Sequence, residues 1–399
     1  MTKLLDLKNN SVIAINQNNY TKEDNYKKVC YLDTDNITNN RINAFLKIDL
    51  TKEKLPSRAK RKCSLNSIIY SSVRPNQRHF GIIKEIPKNF LVSTAFIVID
   101  IIDLEKLDPN YLYYYITQDK ITHYLQRIAE CGTSSYPSIT PLDFLNIKIK
   151  LYPLETQQKI ARTLSILDQK IENNHKINEL LHKILELLYE QYFVRFDFLD
   201  ENNKPYQTSG GKMKFSKELN RLIPSGWSVR FLNHKIVSTY QPKTISKTLL
   251  NDSYSYSVYG GGGIIGRFTE YNHEQSEFII SCRGQCGISY LTLPKSWITG
   301  NAMVIRPTKS YTSKTYLYHT IKKYKLTNYI TGSVQPQITR QNLSTMPILI
   351  PKRKTLNKWN NISSLLWNLI HNNMQSTQTL TVLRDFLLPL LLKQQVKPK

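Results

Sequence analysis

Eight side chains in one stretch have the types that a duplex-reading surface needs: Arg58, Lys60, Arg61, Arg74, Asn76, Gln77, Arg78 and His79. Lys and Arg neutralise phosphates and supply most of the affinity for DNA. Sequence is read at base edges, by Arg on guanine and by Asn or Gln on adenine. A second set, Arg267, Arg283, Gln285, Gln335, Gln337 and Arg340, lies in the later half, its last three members flanking Pro336. Ser134, Ser135 and Tyr136 occupy the comparable turn beside Pro137. The competing account of every one of these residues is a solvated polar loop.

The stretch YGGGGIIGRF, Tyr259 to Phe268, spells Gly261-x-Gly263-x-x-Gly266. A dinucleotide loop of that spelling follows a strand and opens a helix whose amides face the phosphates. The continuation RFTEYNHEQSEFII holds an Asn and an extended-looking FII, so no helix is expected there. A Walker loop is excluded because Arg267 and Phe268 stand where a Lys and a Ser or Thr are required. Two uses stay open for Tyr259, Gly261, Gly262 and their neighbours: a backbone that approaches a phosphate closely, or a plain turn or bulge. The 25 tyrosines divide likewise between stacking on bases and core packing, and clusters such as YLYYY, Tyr111 to Tyr115, favour the core.

These residues need a frame. The 399-residue chain, 40% hydrophobic and 11% aromatic, is long enough for two or three folded domains. Its longest apolar run near the end, Phe386 to Leu392, is far too short to span a bilayer, so a cytoplasmic protein with no membrane partner is expected. Five scattered cysteines suit a reducing compartment, and Cys282 with Cys286 lacks the further ligands of a zinc site, so no metal is expected. Net charge is +25 and very uneven. From Asn203 onward 27 Lys and Arg face six acids, a net of +21, whereas residues 1–202 carry only +4. So lopsided a half points to a polyanionic partner, and nucleic acid before others.

The chain also repeats itself. Aligning GTSSYPSITPLDFLNIKIKL with GSVQPQITRQNLSTMPILI pairs Pro137 with Pro336, Ile139 with Ile338 and Thr140 with Thr339, an offset of 199. The same offset carries IENN, Ile171 to Asn174, onto IHNN, Ile370 to Asn373, and Leu181 and Leu188 onto Leu380 and Leu387. Each copy ends in a helical seam. The first runs Ile160, Leu164, Leu167, Ile171, Asn174, Asn178, Leu181, Leu185, Leu188, Tyr192. The second runs Trp359, Ser363, Leu366, Ile370, Asn373, Thr377, Leu380, Leu387, Leu391, with Arg384 on one seam position. At about 1.5 Å per residue, some 40 residues make a rod of roughly 60 Å. Neither helix hides its seam alone, so the simplest fold lays one antiparallel on the other, with asparagines fixing the register. Two ordinary helices packed on their own domains are the other possibility.

The expected class is therefore α+β: two globular segments separated by two long antiparallel coiled-coil helices, with an internal pseudo-twofold repeat. The boundaries fall at 1–152 for the first globular segment, 153–199 for the central helix, 200–351 for the second segment and 352–399 for the distal helix.

This arrangement resembles the specificity subunit of type I restriction-modification systems. The resemblance is carried by PSRAKRKCSLNSIIYSSVRPNQRHFG, VSTAFIVI and GTSSYPSIT in the first segment, and by PLETQQKIARTLSILDQKIENNHKINELL with LYEQYFVRFDF in the first helix. IPSGWSVRFL, YGGGGIIG, ISCRGQCG, WITGNAMVI and the ending LRDFLLPLLL carry it further, so that it covers about Tyr31 to Val396. One departure is that PLETQQ at the start of the first helix becomes KRKTLNKW, Lys352 to Trp359, at the second. The resemblance implies a non-catalytic subunit that binds double-stranded DNA, each globular segment being a target-recognition domain for one half of a split target. It also implies DNA adenine methyltransferase (modification) subunits and a restriction/translocase subunit as partners. Methyl transfer then draws on S-adenosylmethionine in the modification subunit, with no cofactor in this chain. No Pro-Pro pair, as an adenine methyltransferase motif would need, occurs in the sequence. The alternative outside restriction-modification is a non-catalytic nucleic-acid-binding or scaffolding coiled-coil protein.

Overall fold

The computed structural model describes residues 1–38, 40–131, 136–251, 254–332 and 335–397. It divides into two compact units, Met1–Ile171 with Leu380–Lys399, and Glu172–Thr379. That division runs through the long helices rather than at their ends.

In the first unit four short runs rich in Ile, Val, Phe and Tyr, residue types that suit a pleated and buried surface, form one antiparallel sheet. They are Ile13–Ile15 (β1), Ile68–Ser71 (β2), Phe80–Ile82 (β3) and Phe96–Ile101 (β4), in the order β1-β4-β2-β3. The second unit repeats the pattern with Val237–Tyr240 (β5), Phe278–Ser281 (β6), Ser289–Leu291 (β7) and Ala302–Pro307 (β8), in the order β5-β8-β6-β7. Strands β2, β4 and β6 are buried along most of their length, which explains why they read as continuous apolar runs rather than as alternation.

A short helix follows each sheet. Asp108 caps Pro109–Ile116 (α1) by accepting the Tyr111 N–H, and the first long helix is Leu154–Tyr189 (α2). Ser313 caps Lys314–Lys322 (α3) by accepting the Tyr316 N–H, and the second long helix is Arg353–Leu392 (α4). The fully buried Tyr111 donates its hydroxyl to the Lys150 carbonyl, and the fully buried Tyr316 does the same to Leu349. Lys150 and Leu349 are themselves 199 residues apart, so each unit ties its short helix to the segment that leads into its long one by the same bond.

The long helices meet with opposite polarity within each unit. In the second, Asn174 Nδ2 donates to Thr377 Oγ1 (3.2 Å), Asn178 Nδ2 to the Ile370 carbonyl (3.3 Å), and Asn373 Nδ2 to Asn178 Oδ1 (2.9 Å). In the first, Arg384 meets Asp168 at 2.9 Å and Tyr152 donates to the Leu392 carbonyl. Later residues of α4 thus face earlier residues of α2. Of the seam, Ile160, Leu164 and Ile370 are fully buried, while Leu167, Ile171, Asn174, Leu181, Leu188, Leu366, Asn373, Leu380 and Leu387 are half-buried. Off the seam, Ile177, Leu180, Ile184 and Leu187 are exposed.

Between the repeated strands each unit carries a different insertion. The first holds a four-stranded sheet in which Phe90–Ser93 pairs with Lys28–Leu32 and Ala59–Arg61. The second holds a three-stranded sheet of Tyr256–Gly260, Gly263–Phe268 and Trp297–Ile298.

Candidate nucleic-acid interface

In the first unit the chain leaves β2 and makes one 3₁₀ turn, Pro75–Gln77, before returning as β3. Arg74 and Arg78 bracket that turn in the left-handed region, at φ +47° and +55°. Bulky L-residues occupy that region at a cost on the order of 1 kcal/mol, so local geometry is set by surrounding contacts. Those contacts are visible. The Asn76 N–H donates to Gln126 Oε1 (3.1 Å) and Arg78 pairs with Asp119 (3.0 Å), both partners lying on the helix Asp119–Glu130. The backbone also joins the repeated turn: the Arg74 N–H donates to Pro137 (2.9 Å) and the Ile139 N–H to Ser72 (2.8 Å). What remains outward is Arg74, Asn76 and Gln77, all exposed, with the Arg74 guanidinium 5.4 Å from the ring of the exposed Tyr136. Burial lowers the pKa of His79, so its imidazole is neutral near pH 7 and suits hydrogen bonding better than phosphate neutralisation. Ser134 and Ser135 lie outside the described residues.

Arg58, Lys60 and Arg61 belong to a different place, the strand Ala59–Arg61 and the residue before it. Arg58 and Lys60 are exposed. Arg61 is half-buried with its Nε enclosed, so less of its guanidinium is available to a phosphate than its sequence position suggests.

The second unit builds the corresponding site from three distant stretches. The loop after β6 carries the exposed Arg283 and Gln285, and its backbone bridges that of Gln337. The Ile338 N–H donates to Cys282 (3.0 Å), the counterpart of the bond from Ile139 to Ser72. Cys286 Sγ lies 3.2 Å from the Pro336 carbonyl. The glycine stretch is a β-hairpin, Gly260 pairing with Gly263 and only Gly261 and Gly262 at its tip. That tip abuts the same loop, since a Cβ added at Gly261 would stand 3.2 Å from the Arg283 carbonyl. Gln335, Gln337 and Arg340 are exposed beside it. Thr339 caps the helix Arg340–Leu343 as Thr140 caps Pro141–Leu145, which fixes the two proline turns in one conformation.

Two expected readers fall elsewhere. Tyr259 is 3% exposed and its hydroxyl accepts the Leu293 N–H, so it is a core residue; burial raises its pKa to about 12. Arg267 is half-buried, donates to the Ser255 carbonyl at 2.5 Å and reaches Gln378 on α4, which in turn donates to Ser257. Its work is inside the unit. Gln126 and Asp119, which hold the Arg74 turn, were not foreseen, because partners about 40 to 50 residues apart leave no local pattern.

The altered start of the second long helix has a direct consequence. Gln157 is fully buried; it accepts the Asp108 N–H and donates to the Lys106 and Tyr152 carbonyls. The residue 199 further on is Leu356, also fully buried, which packs in the apolar core of the second unit. A polar clasp in one copy is a hydrophobic plug in the other.

Comparison with known proteins finds the family model described as type I restriction modification DNA specificity domain twice, over residues 6–183 and 224–381. The type I restriction enzyme HindI specificity subunit of Haemophilus influenzae is 23% identical over 445 residues, covering 93% of this chain and 95% of that protein. The MjaIX specificity subunit of Methanocaldococcus jannaschii is 24% identical over 324 residues, covering 73% and 69%. Among solved structures, the type I restriction-modification S subunit from M. genitalium aligns with a TM-score of 0.56 at 17% identity, over 98% of this chain and 99% of that one. That last likeness concerns the fold.

Proposed function

The chain belongs to the family of type I restriction modification DNA specificity domains, and we propose from that premise how its two units divide the work. It is the specificity subunit of a type I restriction-modification complex and reads a bipartite duplex target, one half with each unit. The observation that carries this reading is the duplicated loop site. Residues 72–79 and 282–288 each leave the same strand of the same sheet and are bonded to the same Pro-x-Ile-Thr turn. Yet they present different side chains: Arg74, Asn76 and Gln77 in one, Arg283 and Gln285 in the other. An identical frame with different readers is what a split, non-palindromic target requires. The family match over both copies leaves a coiled-coil protein outside restriction-modification without support.

The long helices serve as the spacer that sets the distance between the two half-sites. The exposed apolar stripe Ile177, Leu180, Ile184 and Leu187 is a docking face for the modification subunits. Those subunits bind S-adenosylmethionine and methylate adenines; this chain is not catalytic, and a restriction/translocase subunit completes the assembly. No described helix is long and apolar enough to cross a membrane, and the complex works on DNA in the cytoplasm.

The test is the methylome of a host expressing this chain with its modification subunits, set against the same host without this chain. A new split motif methylated on adenine is expected. Copurification without any new motif would overturn the reading role and leave only a scaffold.

A further inference from the structure

Three of the four consecutive glycines, Gly260 to Gly263, in the hairpin Tyr256–Phe268 are explained by the fold itself. A Cβ at Gly260 would lie 3.0 Å from Ile265, one at Gly261 would lie 3.2 Å from the Arg283 carbonyl, and Gly263 has φ +101° with the Tyr290 ring 3.3 Å from its Cβ position. Gly262 is different. A Cβ there meets nothing within 4 Å, and its φ lies outside the left-handed region. Nothing within the unit crowds this exposed position, so the hairpin presents bare backbone at its tip to whatever approaches it. Two residues on, Ile264 is 46% exposed, an apolar side chain left in solvent on a hairpin beside Arg283 and Gln285. The half of the chain after Asn202, which contains this tip, carries a net charge of +21.

We propose that the tip of this hairpin enters a groove of duplex DNA at the second half-site, with Gly262 against the sugar–phosphate wall and Ile264 against a base edge. The proposal rests on the reading of the second unit as a DNA reader. A missing Cβ lets the backbone come within van der Waals distance of the groove wall. An exposed Ile supplies the kind of apolar contact that distinguishes a thymine methyl group. Arg283, whose carbonyl adjoins the tip, is then placed for the neighbouring phosphate or guanine.

The experiment uses the full chain in complex with its modification subunits. Gly262→Ala, Gly262→Val and Ile264→Ser are compared with the wild type in thermal unfolding, in copurification and in affinity for duplexes carrying the target or a scrambled second half. Unfolding and copurification should be unchanged. Affinity for the target should fall in proportion to side-chain size at position 262, by about tenfold for Val, and Ile264→Ser should relax preference at one base of the second half-site. If the wild type prefers the intact target and the variants bind it equally well, the hairpin proposal falls alone. If the wild type shows no preference, the reading of the second unit as a DNA reader falls with it. Loss of copurification in Ile264→Ser would make the tip a protein-docking element and would also overturn the proposal.

Discussion

The interiors of the two units, where each faces its long helices, solve one packing problem in two chemistries. In the first, Tyr114 on α1 donates to Asp168 Oδ2 (2.6 Å), and Asp168 takes an ion pair from Arg384. In the second, the position corresponding to Tyr114 is His319, the one corresponding to Asp168 is Trp367, and the one corresponding to Arg384 is Leu185. There His319 lies among Tyr189, Trp359 and Trp367, with ring centroids 5.5, 5.3 and 6.5 Å away, and Trp367 continues the stack to His182 and His371. The polar groups of the first cluster are satisfied. In the second, His319 Nε2, Trp359 Nε1 and Trp367 Nε1 have no hydrogen-bond partner among the described residues. Duplication preserved the backbone bonds that hold the sheet and the proline turn. The side chains filling the space between them were free to diverge, provided that each set closed its own volume.

The contrast can be broken most strongly at Trp359, which is 1% exposed in the stack. Trp359→Ala should cost about 3–5 kcal/mol and should speed hydrogen exchange in the second unit far more than in the first. Equal loss of protection in both units would show that they unfold as one and that the two interiors are not separable.

Arg384→Leu should destabilise the first unit by about 3 kcal/mol, because it leaves the Asp168 carboxylate half-buried without its cation. Adding Asp168→Leu should recover most of that loss, since an apolar pair already serves at the corresponding place in the second unit. A double variant no more stable than the single one in denaturant unfolding would contradict this account of the ion pair.

Acid should separate the units further. Burial, with Lys322, His182 and Lys323 nearby, lowers the pKa of His319 to about 3; burial, with Lys314 and His182, lowers that of His371 to about 4. A histidine held neutral in the fold binds its proton only after unfolding. The stability it contributes is therefore complete above the ordinary value near 6.5 and is lost as pH falls from there toward 3. At pH 5 the loss from His319 alone is on the order of 2 kcal/mol. His319→Phe should remove about half of this acid sensitivity, His371 supplying the rest, and a second unit whose unfolding is indifferent to pH between 7 and 5 would refute the cause given.

Much of this frame was legible beforehand. The offset of 199 placed Thr140 on Thr339, and both prove to be helix caps made by the same hydrogen bond. The seam periodicity found the sides of α2 and α4 that are buried, and glycine spacing without a following helix excluded a phosphate loop. Pairings across the fold were not legible. Arg384 stood out only as a charge on a seam, since nothing local announces Asp168 as its partner 216 residues away. Tyr259 and Arg267 had the right types for reading DNA and lie where the hairpin packs, one in the core and one bonded to backbone and α4. Residue type gives the chemistry that is possible, and burial decides which of it is available.

The central claim is that each unit reads its own half of the target, and the most direct measurement is adenine-methylation sequencing of hosts carrying Arg74→Ala or Arg283→Ala in the intact complex. Both residues are exposed, so either change should alter stability by less than about 0.5 kcal/mol. The account predicts that Arg74→Ala relaxes bases in one half of the split motif only and Arg283→Ala in the other half only, the spacer staying constant. Both variants relaxing the same half, or neither changing the motif, would contradict it.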